Sequence, residues 1–185
     1  ATKDPKSFFL KSIKVIEKQK NINFSKDICG IILETFQGWG AIFYPKDFVK
    51  AICNYAKKNN ILICFDEMQA GFARTGKAFG FEHYDVIPDL ICCGKGMGNG
   101  YPLSGVIGKA EIMDLPDIGN MSSTHSANPM ACAVGLTVLE EIESGNLIEE
   151  SLRKGKILKE GLNKLKQESS NKISHILGEG LILAI

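Results

Sequence analysis

Short apolar runs separated by polar or glycine-rich segments mark the first part of the chain. Uninterrupted apolar runs of this length are typical of strands buried on both faces of a parallel sheet. We therefore expect four strands, at 28–33, 61–65, 89–93 and 103–107.

Apolar residues recur at helical spacing between and after these runs. The helices predicted in this way cover 6–20, 45–58, 128–142 and 147–167. Pro45 and Pro129 suit the first turn of a helix, and Asn128 is a favourable amino-terminal cap. Strands that alternate with helices predict an α/β fold, with a mostly parallel sheet flanked by helices.

The pattern changes near residue 145. Two short apolar runs, 173–177 and 181–185, flank Gly178-Glu179-Gly180 and predict two strands after the last helix. We expect residues 1–144 to form part of a large domain and residues 145–185 to begin a smaller α+β domain. The last apolar run has no polar tail, and we interpret the chain as an interior piece of a longer protein.

The composition is typical of a soluble globular protein, with 44% hydrophobic and 23% charged residues among 185. The net charge is +1, so the chain lacks the excess of basic residues that nucleic-acid binding requires. No apolar stretch approaches the ~18 residues that span a bilayer, and residues 1–5 lack the apolar core of a signal peptide. The six cysteines form no C-x-x-C pair, and most of them lie in apolar runs. We therefore expect buried free thiols in a reducing, cytoplasmic compartment.

Two residues are the strongest candidates for chemistry. Asp66 ends the apolar run 61–65, and Lys95 lies among glycines directly after the run 89–93. Because ligands gather at the carboxyl ends of parallel strands, we expect both side chains at one site. A desolvated lysine loses basicity, and a neutral amine attacks an aldehyde. An opposing carboxylate would keep a pyridine nitrogen protonated, and the pair therefore predicts pyridoxal-phosphate chemistry.

Both residues also have simpler interpretations. Asp66 alone is more typical of a turn or a helix cap, and Lys95 could belong to a flexible surface loop. The uncharged run before Lys95 and the position of both residues at strand ends favour the chemical interpretation.

Three other motifs are weaker. The segment Gly71–Ala78 nearly matches an NTPase phosphate loop, but Ala78 occupies the position that needs Ser or Thr. Asn99 breaks a possible G-x-G-x-x-G dinucleotide motif. His83 is more typical of a structural histidine than of a ligand, and we expect no metal site.

Several ordered motifs make the chain similar to the class III aminotransferases, which are fold-type I pyridoxal-phosphate enzymes. The matching segments are 34–40, 65–77, 81–83, 88–89, 94–96, 101–104 and 123–129. The resemblance implies transfer of an amino group from an amine or amino-acid donor to a keto-acid or aldehyde acceptor. The alternatives are an aminomutase, decarboxylase or racemase of the same fold, or a truncated piece of the enzyme that is catalytically incompetent.

The resemblance also implies individual roles in the cofactor site. Lys95 would form the Schiff base with pyridoxal 5'-phosphate and move a proton, while Asp66 would pair with the ring nitrogen. Gln69 would hydrogen-bond the ring hydroxyl, and Met68 would pack on one face of the ring.

A second subunit is implied as well. Thr124, next to Ser123, would bind the cofactor phosphate of the neighbouring subunit, which implies a homodimer with shared active sites. From the residues alone, Ser123 and Thr124 could equally form only the loop that starts the following helix.

The segment 34–40 departs from the family pattern Glu-Pro-x-Gln-Gly-Glu-Gly-Gly. Thr35 replaces the proline, and Trp39 stands where ornithine and 4-aminobutyrate aminotransferases have a glutamate. We expect Glu34 and Trp39 to lie at the substrate pocket, with Trp39 giving the amino donor a more apolar wall.

Overall fold

The computed structural model describes residues 4–170 and 172–185, so the stretch considered for a signal peptide is described only from Asp4. The helices are α1 (Pro5–Lys20), α2 (Phe24–Asp27), α3 (Lys46–Lys58), α4 (Ala110–Met113), α5 (Pro129–Ser144) and α6 (Leu147–Glu168). The strands are β1 (Gly30–Glu34), β2 (Phe36–Gln37), β3 (Ile42–Phe43), β4 (Leu62–Asp66), β5 (Leu90–Cys93), β6 (Gly105–Gly108), β7 (Leu177–Glu179) and β8 (Ile182–Ala184). Two short 3₁₀ turns cover Gly80–Tyr84 and Lys95–Gly98.

A four-stranded sheet in the order β1-β4-β5-β6 forms the centre of the fold. Strands β1, β4 and β5 run parallel, and β6 runs antiparallel to β5. The predicted α/β class with a mostly parallel sheet is confirmed.

Alternation along β4 decides which side chains face the core. Ile63 and Phe65 are buried beneath α1 and α3, together with Val49 of α3. Burial of such a side chain stabilises the fold by ~1.5–3 kcal/mol. Because successive residues of a strand point to opposite faces, Cys64 and Asp66 lie on the other, partly exposed face.

Helix α5 packs against the turn that contains Lys95. Asn128 caps this helix as predicted, since its Oδ1 accepts hydrogen bonds from the N–H groups of Met130 (3.0 Å) and Ala131 (3.3 Å). A Cβ at Gly135 would lie 2.6 Å from Cδ2 of Leu103, so the absent side chain permits this close packing.

Several predicted boundaries need correction. Strand β1 begins at Gly30 rather than at residue 28, because its pairing partner β4 begins at Leu62. The strand predicted at 173–177 is wrong except at Leu177, since the β7–β8 hairpin pairs only three residues on each strand. Pro45 precedes α3 instead of opening it.

The expectation that the free thiols are buried is wrong for most of them. All six cysteines are free, but only Cys93 is buried, and Cys29 and Cys132 are exposed because they lie before β1 and on the outer side of α5. Burial raises the pKa of the Cys93 thiol to about 11 and that of Cys64 to about 12.

No described helix is long and apolar enough to cross a bilayer.

Candidate active site

The carboxyl ends of three parallel strands meet at one edge of the sheet. Glu34 of β1 pairs with Asp66 of β4, and Asp66 pairs with Cys92 of β5. Lys95 begins the 3₁₀ turn that follows β5. The register therefore brings two carboxylates and one amine to the same edge, where parallel sheets place their ligands.

These side chains line a small cleft of about 30 Å³. Its lining consists of Glu34, Thr35, Phe36, Asp66, Met68, Gln69, Ala70 and Lys95. Five of the predicted site residues, all except Trp39, Ser123 and Thr124, are thus brought together.

Asp66 has both a local bond and a free acceptor. Its Oδ1 accepts a hydrogen bond from the N–H of Met68 (3.0 Å), so the carboxylate does shape a turn, as the simpler interpretation predicted. Among the described residues, no donor is hydrogen-bonded to Oδ2 of Asp66. That oxygen can accept a hydrogen bond from a ligand in the cleft.

Lys95 has an unusual backbone and an exposed side chain. Its φ of 43° lies in the left-handed region, which costs a non-glycine residue ~1 kcal/mol. Strained residues of this kind cluster at functional sites. The expected desolvation of Lys95 is wrong for this chain, because Lys95 is exposed at the start of the 3₁₀ turn although Cys93 and Gly94 before it are buried.

Two glycines let other segments contact the cleft. A Cβ at Gly94 would collide with Sδ of Met68, so Gly94 allows Met68 to lie beside the approach to Lys95. A Cβ at Gly38 would lie 2.7 Å from Oε1 of Gln69, so the turn between β2 and β3 contacts Gln69.

The other predicted residues lie outside the cleft lining. Trp39 is 82% exposed in the turn between β2 and β3. Ser123 and Thr124 are exposed, as is every residue from 113 to 130. Ser123 bonds to the hydroxyl of Ser126 through its N–H (2.8 Å) and its own hydroxyl (3.2 Å).

Glu67 is a buried residue to which sequence reasoning assigned no role. Its carboxylate accepts hydrogen bonds from the Thr35 hydroxyl and from the N–H groups of Gly80 and Phe81. The available signal was a second acidic residue beside Asp66 within an otherwise apolar stretch. Its bonding partners are distant in sequence and give no local pattern.

Residues 3–185 match the family described as aminotransferase class-III. The chain belongs to this family. The family prediction made from the motifs is therefore confirmed.

Two curated relatives illustrate the similarity. The chain is 36% identical over 176 residues to a 4-aminobutyrate aminotransferase of Mycobacterium leprae, covering 95% of this chain and 39% of the relative. It is 38% identical over 158 residues to an acetylornithine aminotransferase of Caldanaerobacter subterraneus, covering 85% of this chain and 40% of the relative. The chain therefore spans about two fifths of the length of these curated relatives.

The fold is shared with solved transaminases. An S-selective transaminase from Arthrobacter sp. superposes with a TM-score of 0.82 at 32% identity, covering 93% of this chain and 37% of that chain. The predicted relation of this chain to the fold-type I enzymes is confirmed.

Proposed function

We propose that the full-length protein is an aminotransferase that uses pyridoxal 5'-phosphate. It moves an amino group from an amine or amino-acid donor to a keto-acid or aldehyde acceptor. The observation that carries this proposal is the meeting of Lys95, Asp66 and Gln69 at one cleft, in a chain of the class III family.

The side chains of the cleft fit this cofactor. Lys95 offers an exposed primary amine, and Gln69 offers an exposed amide. Asp66 offers a carboxylate oxygen that no described residue occupies. When bound, pyridoxal phosphate supplies a ring that withdraws the electrons left when a substrate carbon loses a proton.

Each residue has a separate part in this proposal. Asp66 holds a proton on the ring nitrogen, because a nearby carboxylate favours the charged form of a base. Lys95 would hold the cofactor through Nζ, which condenses with the aldehyde with loss of water, and its amine, when free, would carry a proton to or from the substrate carbon.

The neighbours of Asp66 orient the ring. Gln69 would hydrogen-bond the ring hydroxyl, and Met68 would pack its thioether against one face of the ring. Gly94 leaves the space that Met68 needs beside the approach to Lys95.

Ser123 and Thr124 belong, in this proposal, to the site of a second identical subunit. Both are exposed and lie outside the cleft of their own chain. Their hydroxyl groups can donate hydrogen bonds to the oxygens of a phosphate. The active unit is accordingly a homodimer with shared sites.

Glu34 and Trp39 contribute to donor selection. Glu34 lines the cleft, and a Cβ at Gly38, the neighbour of Trp39, would lie 3.7 Å from Oε1 of Glu34. The exposed indole of Trp39 would give an incoming donor an apolar wall.

The free cysteines are compatible with the proposed cytoplasmic, reducing location.

A transfer assay on the full-length protein tests the proposal. Wild-type protein loaded with pyridoxal phosphate should convert a keto acid into its amino acid at the expense of an amino donor, and Lys95→Ala should abolish this. Lys77→Ala is the matched control, since Lys77 is an exposed lysine of the phosphate-loop-like segment and outside the cleft. Racemised donor or released carbon dioxide without an aminated acceptor would contradict the assignment.

A further inference from the structure

Glu67 is a fully buried carboxylate directly behind the cleft. Its relative exposure is 0%, as is that of Thr35. The residues on either side of Glu67, Asp66 and Met68, both line the cleft, and so does Thr35 itself. Glu67 is therefore joined to two cleft residues by single peptide units.

Among the described residues, the three hydrogen-bonding partners of the Glu67 carboxylate all donate to it. Oε1 accepts from the Thr35 hydroxyl and from the N–H of Phe81 (2.8 Å), and Oε2 accepts from the N–H of Gly80 (2.8 Å). Burial raises the pKa of the Glu67 carboxyl, and these three bonds oppose that rise. An ionised carboxylate can only accept hydrogen bonds, so surroundings that only donate suit it.

The bonds of Glu67 join three segments that are distant in sequence. Thr35 follows β1, Glu67 follows β4, and Gly80 opens the 3₁₀ turn Gly80–Tyr84. A Cβ at Gly80 would lie 2.7 Å from both Cβ of Ala70 and Cγ2 of Thr35, so the three segments pack too closely to admit a side chain at Gly80.

Tyr84 connects two of these segments, the one that contains Thr35 and the 3₁₀ turn Gly80–Tyr84, a second time. Its hydroxyl donates to the carbonyl oxygen of Thr35 (2.6 Å) and accepts from the N–H of Tyr44 (3.1 Å). Tyr84 is buried, and a buried polar network whose members are satisfied holds a single arrangement.

We infer that Thr35 and Glu67 form a clamp that positions Asp66 and Gln69 in the cleft. The clamp fixes the carboxyl end of β4 against the end of β1 and so fixes the turn in which Met68 donates to Asp66. Residues that support a ligand-binding side chain in this way set its geometry without touching the ligand. The consequence for the cofactor rests on the proposed function.

Substitutions of Thr35 in the full-length protein test the clamp. Thr35→Val removes the hydroxyl at nearly constant shape, and Thr35→Ser restores it. Thr75→Val is the matched control, because Thr75 is equally buried and bonds to Nε2 of His83 (3.1 Å) but does not line the cleft.

The first readout is amide hydrogen exchange of the segment 66–71 in cofactor-free protein. Thr35→Val should speed this exchange by about tenfold, whereas Thr35→Ser and Thr75→Val should leave it near the wild-type rate. Unchanged exchange in Thr35→Val, or an equal rise in Thr75→Val, would overturn the clamp.

The second readout is the affinity for pyridoxal phosphate and the absorption maximum of the bound cofactor. Thr35→Val should weaken binding by about tenfold and shift the maximum, and Thr35→Ser should restore both. Faster exchange with unchanged affinity and spectrum would reduce the clamp to a purely structural role and refute positioning. If wild-type protein bound no pyridoxal phosphate, the proposed function would fail, but the exchange comparison would still decide whether Thr35 holds the turn.

Discussion

At the scale of single residues, Asp66 combines a local and a chemical role. One carboxylate oxygen closes a turn with the N–H of Met68, the other has no hydrogen-bond donor among the described residues, and Asp66 lines the cleft. Sequence position at the end of an apolar run is enough to find such a residue. It cannot find Glu67, whose importance depends on Thr35, Gly80 and Phe81 arriving from other segments.

Asp66→Asn separates the two roles of Asp66. Asparagine keeps an oxygen that can accept from Met68 N–H but loses the negative charge. We expect the fold to persist while turnover in the transfer assay falls by about a hundredfold or more, since a preorganised charge is lost. Asp47→Asn, which changes an exposed carboxylate on α3, should leave turnover unchanged. Near wild-type turnover of Asp66→Asn would contradict the proposed ion pair with the ring nitrogen.

At the scale of elements, the apolar runs located the four sheet strands but not their direction. β6 is antiparallel to β5, and an apolar run carries no information on direction. The β2–β3 hairpin pairs only two residues on each strand, too few for a periodicity to be visible. Strand ends moved by one or two residues because pairing stops where the neighbouring strand stops.

Asp89, directly before β5, bonds to β4 and to Lys109, which directly follows β6. Its Oδ1 accepts from Nζ of Lys109 (2.6 Å), and its Oδ2 accepts from the N–H of Ile63 (2.8 Å). Burial raises the pKa of the Asp89 carboxyl, but the bonds and the charge of Lys109 outweigh it and hold the pKa below its ordinary value. The pKa of Asp89 is therefore lower in the folded than in the unfolded protein. The ionised carboxylate stabilises the fold above the pKa of the unfolded state, and this stabilisation is lost as the pH falls through the pKa of the folded state.

Asp89→Asn should therefore destabilise the protein in a pH-dependent way. We expect the free energy of unfolding to fall by ~1–2 kcal/mol at pH 7, with the difference from wild type shrinking below about pH 4. Urea unfolding at both pH values measures this. Asp47→Asn, which removes an exposed carboxylate of α3, controls for loss of charge. A difference that stays constant from pH 7 to pH 3 would argue against the lowered pKa.

At the scale of the whole molecule, this chain contributes about two fifths of the length of its curated relatives. Under the proposed function, the cleft of about 30 Å³ is part of a cofactor site that other segments of the full-length protein complete. Large apolar side chains are exposed in the segment 113–130, among them Leu115, Ile118 and Met121. We propose that this segment meets a second subunit and that a smaller domain begins near residue 145.

Subunit complementation tests the proposed sharing of sites. Lys95→Ala and Thr124→Ala homodimers should each have little activity. Mixed dimers contain one site with both Lys95 and Thr124, so refolding an equal mixture should restore about a quarter of wild-type activity. A mixture no more active than its components would show that Thr124 does not serve the partner's site.

The central claim is that Lys95 is the amine that binds the cofactor. Full-length protein loaded with pyridoxal phosphate, reduced with borohydride and digested should give one peptide carrying a pyridoxyl group when examined by mass spectrometry. We expect the modified residue to be Lys95. A pyridoxyl group found on Lys77 or another lysine, with Lys95 unmodified, would contradict the account.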